Sequence, residues 1–301
     1  MFQKNLKFLS LFLGIVFLGI TLSACGNKQA ENNKIKIVTT TDFYGEVAKA
    51  VVGNKGSVQS IINKPGLDPH DYEPTTNIAK DVSAADVTIA NGLGYDSWMN
   101  KLSKNDSTSK ILVGEDIMNK KTGDNPHLWY DPKTMPKLAN YLAKELGKKQ
   151  PKNKAYFQKN ADKYIKSLKP VQSELDELKQ TAQNANNKDV YVSEPVFDYS
   201  IEDMGFKVGN KEFEKAVENG TDPSPKVVKN MRQGIMEQNI SFLVYNSQSD
   251  SKTVDNMVKL ANKNNIPVLK VTETLPAGKN YKEWMLSQYK QLNKILVEVQ
   301  K

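Results

Sequence analysis

The sequence predicts an α/β protein of two lobes, each a mainly parallel sheet flanked by helices, joined by one long helix. Three observations carry the prediction. Short β runs alternate with helical patterns in two separate blocks, the signature of βα units. A continuous helical stripe lies between the blocks. The body that remains after the leader, about 265 residues, is enough for two medium cores.

In the first block, Lys36 to Thr41 (KIVTTT), Val58 to Asn63 (VQSIIN), Val87 to Asn91 (VTIAN) and Ile111 to Val113 read as strands. In the second, Asp189 to Ser193 (DVYVS), Phe242 to Asn246 (FLVYN) and Pro267 to Thr272 (PVLKVT) do so, with helical segments over Pro225 to Gln238 and Ser251 to Asn264. Between them Phe157, Ala161, Tyr164, Leu168, Val171, Leu175, Leu178 and Ala182 step by four and three, one apolar stripe along a helix. Such a helix spans roughly 45 Å, longer than one lobe needs, which makes it a strut between lobes. Pro170 lies off the stripe and removes one backbone hydrogen bond, so a kink is expected there.

The chain begins with an export signal. Lys4 and Lys7 precede an apolar run from Phe8 to Ile20, too short and too interrupted for a membrane span. Leu22-Ser23-Ala24-Cys25 resembles a bacterial lipobox, in which the cysteine is acylated and becomes the new N-terminus. Cys25 is the one cysteine of the chain, so neither an internal disulfide nor a thiolate-rich metal site can form. The polar stretch Gly26 to Lys34 reads as a tether. The expected organisation is a signal peptide over 1–24, a lipid-anchored tether over 25–34, an N-terminal lobe over 35–150, the connecting helix over 151–186 and a C-terminal lobe over 187–301.

The formal charge of +8 comes from scattered lysines, with Arg232 the sole arginine. Nucleic-acid readers use clustered arginine for bidentate contacts, and this chain has no such cluster. A solvated lysine-rich surface beside an anionic membrane is the better account.

Two histidines occur in 301 residues. His70 stands in Asp68-Pro69-His70-Asp71-Tyr72-Glu73-Pro74 and His127 in Asn125-Pro126-His127-Leu128-Trp129-Tyr130-Asp131-Pro132. Proline on both sides stiffens each loop, so both imidazoles are presented from rigid loops rather than packed on a helix face. Neutral imidazole is the commonest transition-metal ligand, and loops that follow parallel strands are where open α/β sheets hold ligands. Glu194 leaves the Val190-Tyr191-Val192-Ser193 run and Glu273 leaves Val268 to Thr272, so both carboxylates emerge from apolar strands where an unpaired charge is costly. Two neutral imidazoles and two carboxylates would balance a dication.

Together these residues resemble the solute-binding lipoproteins of zinc and manganese ABC importers, from about Ile35 to Tyr289. The markers are the Asp68-Pro69-His70 loop with Tyr72-Glu73-Pro74, Ser83-Ala84-Ala85-Asp86 leading to Asn91-Gly92-Leu93-Gly94, Asn125-Pro126-His127-Leu128-Trp129, Ser193-Glu194 with Phe197 and Tyr199, and Asp222-Pro223-Ser224-Pro225. The resemblance implies two lobes on one long rigid helix, with metal in the cleft between them. It also implies a ligand set of His70, His127, Glu194 and Glu273. The last position is usually aspartate, so Glu273 departs from the pattern by one methylene. The implied partners are a membrane permease with its cytoplasmic ATPase, and the membrane itself through the Cys25 anchor, the protein acting as a monomer. Oxygen-rich ligation leans towards manganese, with zinc next and ferrous iron third, although zinc binds such donors more tightly than manganese. Two readings of other classes compete: a secreted metallohydrolase and a surface adhesin. Against the former, no histidine is left over as general base and no His-Glu-x-x-His pattern occurs.

Overall fold

The computed structural model describes residues 34–102 and 107–299. Its first lobe opens with β1 (Ile35–Thr41), buried along nearly its whole length because it lies between two neighbouring strands. Helix α1 (Asp42–Val52) returns to β2 (Gly56–Ile62), an edge strand whose exposed positions alternate with partly buried ones, as one covered face requires. Then come α2 (Thr76–Ser83), β3 (Val87–Ala90), α3 (Trp98–Leu102) and β4 (Ser109–Leu112). The strands run parallel in the order β2-β1-β3-β4. Thr75 caps α2 by accepting from the Ile78 amide, which ends the loop that carries His70.

Helices α4 (Thr134–Lys149), α5 (Lys154–Ser167) and α6 (Lys169–Gln183) follow. The expected strut is therefore a long bent helix in two segments, α5 and α6. The break falls at Leu168, where Pro170 supplies no amide and the Val171 and Gln172 amides both donate to the Leu168 carbonyl. The stripe read from the sequence is buried on both sides of the bend, from Phe157 through Ala182. Helix α5 packs on α1 and α4 of the first lobe.

The second lobe repeats the topology of the first. Strand β5 (Asp189–Val192) is followed by α7 (Asp198–Asp203), β6 (Lys207–Val208), α8 (Lys211–Glu218), α9 (Pro225–Met236), β7 (Leu243–Asn246), α10 (Lys252–Lys263), β8 (Val268–Val271) and α11 (Tyr281–Val299). The parallel order is β6-β5-β7-β8. The two-residue β6 has no counterpart in the sequence reading, since a run that short carries no periodicity. Ser224 and Ser251 cap α9 and α10 through the amides of Val227 and Val254, and Pro225 pre-sets the first turn of α9.

The lobes share one apolar core. Phe43 packs on Trp129 and Trp284, and Tyr130 packs on Phe197 and Trp284. Two tyrosine hydroxyls inside this core are paired with distant backbone carbonyls. The Tyr281 hydroxyl donates to the Trp129 carbonyl at 2.7 Å, and the Tyr130 hydroxyl donates to the Thr272 carbonyl at 2.6 Å. Helix α11 lies along α6 and against β8, and its Trp284 packs on Phe43, so the C-terminal helix joins the strut, the second sheet and α1 of the first lobe. Among the described residues no helix is long and apolar enough to cross a membrane.

Candidate metal site in the cleft between the lobes

Both sheets point the carboxyl ends of their strands at one cleft of about 770 Å³. Open parallel sheets hold ligands at this edge because loops there are free of the sheet's own hydrogen bonding. Asp68 and His70 line the cleft from the loop after β2, and Asn125 from the loop that also carries His127. Glu194 follows β5, Glu218 ends α8, and Glu273 follows β8.

His127 is fully buried. Its Nδ1 lies 2.8 Å from Asn125 Oδ1. The Asn125 amide nitrogen donates to the Pro195 carbonyl at 2.7 Å, which leaves Oδ1 to face the ring. An amide oxygen only accepts, so Nδ1 carries the proton and Nε2 keeps its lone pair. That Nε2 is buried with no hydrogen-bond partner, and it points at carboxylate oxygens: Glu218 Oε1 at 3.8 Å and Glu273 Oε1 at 3.9 Å. Burial holds the His127 ring down at about 4, so it is neutral and available as a ligand across the physiological range.

His70 stands at the mouth of the cleft. Its backbone amide donates to Asp68 Oδ1 at 2.8 Å, and its ring packs edge-on against Tyr95. Nε2 lies 3.6 Å from Glu218 Oε1. Burial pushes this imidazole down, but Glu218, Glu273 and Asp68 outweigh burial and raise it. One donor atom each from Asp68, His70 and Glu273 lies within 4.8 Å of the others.

Glu273 receives the Tyr95 hydroxyl at 2.9 Å on Oε1, while Gln248 accepts the Glu273 backbone amide at 2.8 Å. Burial, helped by the negative charge of Glu218, pushes the carboxyl from its ordinary 4.5 to about 8. Glu194 is held differently. The Asn246 side-chain amide, at the end of the adjacent β7, donates to its Oε2 at 2.6 Å. Burial raises its pKa, and hydrogen bonds from Ser249 and Asn246 oppose the rise.

Of the four candidate ligands, His70, His127 and Glu273 thus converge. Glu194 lines the same cleft, with its Oε2 held by Asn246. Two carboxylates were missed by the sequence reading, Asp68 and Glu218. Asp68 sits inside the quoted Pro-His loop. Glu218 ends a helix rather than a strand, and the available signal was its position: a carboxylate in the last turn meets the negative end of the helix dipole. Cys25 lies outside the described residues.

A buried imidazole with a free lone pair, a second imidazole and several convergent carboxylates on one two-lobed α/β frame define a cation-binding protein. The chain belongs to the family described as zinc-uptake complex component A, periplasmic, which matches residues 37–295. It is 33% identical over 211 residues to the iron ABC transporter substrate-binding lipoprotein MtsA of Streptococcus pyogenes serotype M1, covering 64% of this chain and 67% of that one. Over 88% of both chains it is 28% identical to the metal ABC transporter substrate-binding lipoprotein FimA of Streptococcus parasanguinis. Its fold is similar to a manganese-bound variant of the periplasmic metal binding protein from candidatus liberibacter asiaticus, with a TM-score of 0.72 at 18% identity over 87% of this chain and 100% of that one. The periplasmic zinc binding protein TroA from Treponema pallidum gives a TM-score of 0.70 at 18% identity, over 88% of this chain and 99% of that one. The family is one of solute-binding transport proteins that serve metal ABC importers.

Proposed function

We propose that this chain is an extracytoplasmic lipoprotein, anchored through Cys25, that captures one divalent transition-metal ion and delivers it to an ABC permease driven by a cytoplasmic ATPase. The ion enters as cargo, bound by His70, His127 and Glu273, with Glu194 as the fourth ligand expected from the family. The protein acts as a monomer, with lobes over 35–150 and 187–301 joined through 151–186. The observation that carries the reading is His127: a buried, neutral imidazole whose Nε2 has no partner and faces carboxylate oxygens. In a metal-free function that nitrogen would be a buried polar group left unsatisfied, which costs about 1–3 kcal/mol.

Manganese and zinc are the cargoes the donors suit best. Carboxylate oxygens favour the harder ion, while imidazole suits zinc, and the intrinsic affinity order favours zinc over manganese. Relatives carry names for iron, manganese and metal in general. Binding requires ionised carboxylates and neutral imidazoles, so affinity falls as pH drops through the histidine range.

The test is elemental analysis of purified mature protein with the variants His70→Ala and His127→Ala. The expected result is about one ion per chain in the parent and loss of it in both variants. Undiminished metal in both variants would sink the assignment.

A further inference from the structure

We propose that Glu218 is a direct ligand of the transported ion, a donor outside the set His70, His127, Glu194 and Glu273. The inference rests on the metal-carrier reading and adds a specific residue to it.

The geometry of Glu218 is that of a metal donor facing two others. Its Oε1 lies 3.6 Å from His70 Nε2 and 3.8 Å from His127 Nε2, both beyond hydrogen-bond reach. Two donors held at about 2.0–2.2 Å around one tetrahedral ion stand about 3.3–3.6 Å apart. The oxygen and the two nitrogens therefore sit close to ligand-to-ligand spacing. Oε1 is buried without a hydrogen-bond partner, and so is His127 Nε2, the atom it faces. Two such orphans facing each other leave room for a cation that both can bind.

Among the described residues no lysine is ion-paired with Glu218, although Lys211 and Lys215 line the same cleft. Lys211, at the start of the same helix, is engaged by Asp198 at 2.7 Å and Glu214 at 3.4 Å. The ion-pair neighbours of Glu218 among the described residues are the two imidazoles. At the C-terminal end of α8 the helix dipole and burial disfavour its charge, and the two imidazoles outweigh burial and hold the carboxyl below its ordinary value, so positive charge at the imidazoles' position is what stabilises it. Glu194, by contrast, already accepts a 2.6 Å hydrogen bond from Asn246. The second lobe thus contributes Glu218 as an oxygen donor within 3.8 Å of both imidazoles, which biases the site towards a hard ion.

The experiment is equilibrium titration of mature protein with manganese and with zinc, comparing the parent, E218Q, E194Q and H127A, together with a zinc-loaded crystal structure. The expected result is a loss of at least about tenfold in manganese affinity for E218Q, larger than its loss for zinc, in a metal-free protein that still unfolds cooperatively. A Glu218 oxygen about 2.0–2.2 Å from zinc is expected in the structure. If E218Q keeps the parent affinity while H127A loses it, the carrier reading stands and Glu218 is not a ligand. An affinity that rises in E218Q also overturns the proposal, because it marks Glu218 as a competitor of the ion. If the parent binds neither metal, the carrier reading itself fails.

Discussion

Asn125 Oδ1 lies 2.8 Å from His127 Nδ1, and that contact decides which nitrogen of the ring faces the cleft. Asn125 in turn reaches across to the Pro195 carbonyl of the second lobe, so the ring is oriented from both sides of the cleft.

Replacing Asn125 by alanine should therefore weaken metal binding without removing any ligand. The expected loss is about 10–100-fold, the usual effect of removing the partner that orients a ligating histidine. Asn125→Asp keeps an oxygen acceptor for Nδ1–H and should retain much more of the affinity. Competition titration with a chelating dye checks both, and equal losses in the two variants would refute the orienting role.

Two buried groups of the cleft, Glu273 and His127, contribute to the pH response of the metal-free protein. Glu273 is raised from 4.5 to about 8, so its contribution to stability is fully present below pH 4.5 and is lost as pH rises through about 8. His127 is lowered from 6.5 to about 4, so its contribution is present above pH 6.5 and is lost as pH falls through about 4. Glu273→Gln keeps an acceptor for the Tyr95 hydroxyl and removes the buried charge. After chelator treatment this variant should melt higher than the parent, with a gap that is small at pH 5 and wider at pH 8. A gap independent of pH would mean that the carboxyl is not the cause.

Metal binding should change the overall shape little. The two sheets share one core through Phe43, Trp129, Trp284, Tyr130 and Phe197, and Tyr281 and Tyr130 bond across it. Separating the lobes by a wide hinge would expose that aromatic surface. Small-angle scattering of metal-free and metal-loaded protein should give radii of gyration that agree within error, with release depending on the loops that carry His70 and Glu273 and on the end of α8. A large contraction on loading would contradict the shared core.

The stripe on the bent helix should behave as core. Leu175 in α6 is fully buried, and Leu175→Ala should destabilise the protein by about 2–5 kcal/mol, measured by chemical denaturation. Its folded fraction should still carry metal, since Leu175 makes no part of the cleft lining.

Much of this frame was legible in the residues alone. Each β run of the two blocks became a parallel strand within a residue or two of its expected bounds, because short β-branched and apolar runs between turn signals report strands with at least one covered face. The helix stripe was legible for the same reason, and Pro170 announced its break. The two Pro-His loops and the two strand-end glutamates were also visible, since strand order in a parallel sheet sends its C-terminal loops to one edge.

Tertiary structure decided the rest, because it depends on approaches between distant segments that leave no local pattern. Nothing in the run Lys211 to Glu218 announces that its last carboxylate meets the rings of His70 and His127. Nothing near Glu194 announces the 2.6 Å bond that its Oε2 accepts from Asn246. The free lone pair on His127 depends on an asparagine two residues away whose own orientation is set by Pro195 in the other lobe. Periodicity and loop chemistry are properties of neighbouring residues, so the sequence could specify two lobes and the histidines between them. Donor spacing and tautomer are properties of the packed cleft, and only folding brings those atoms within reach.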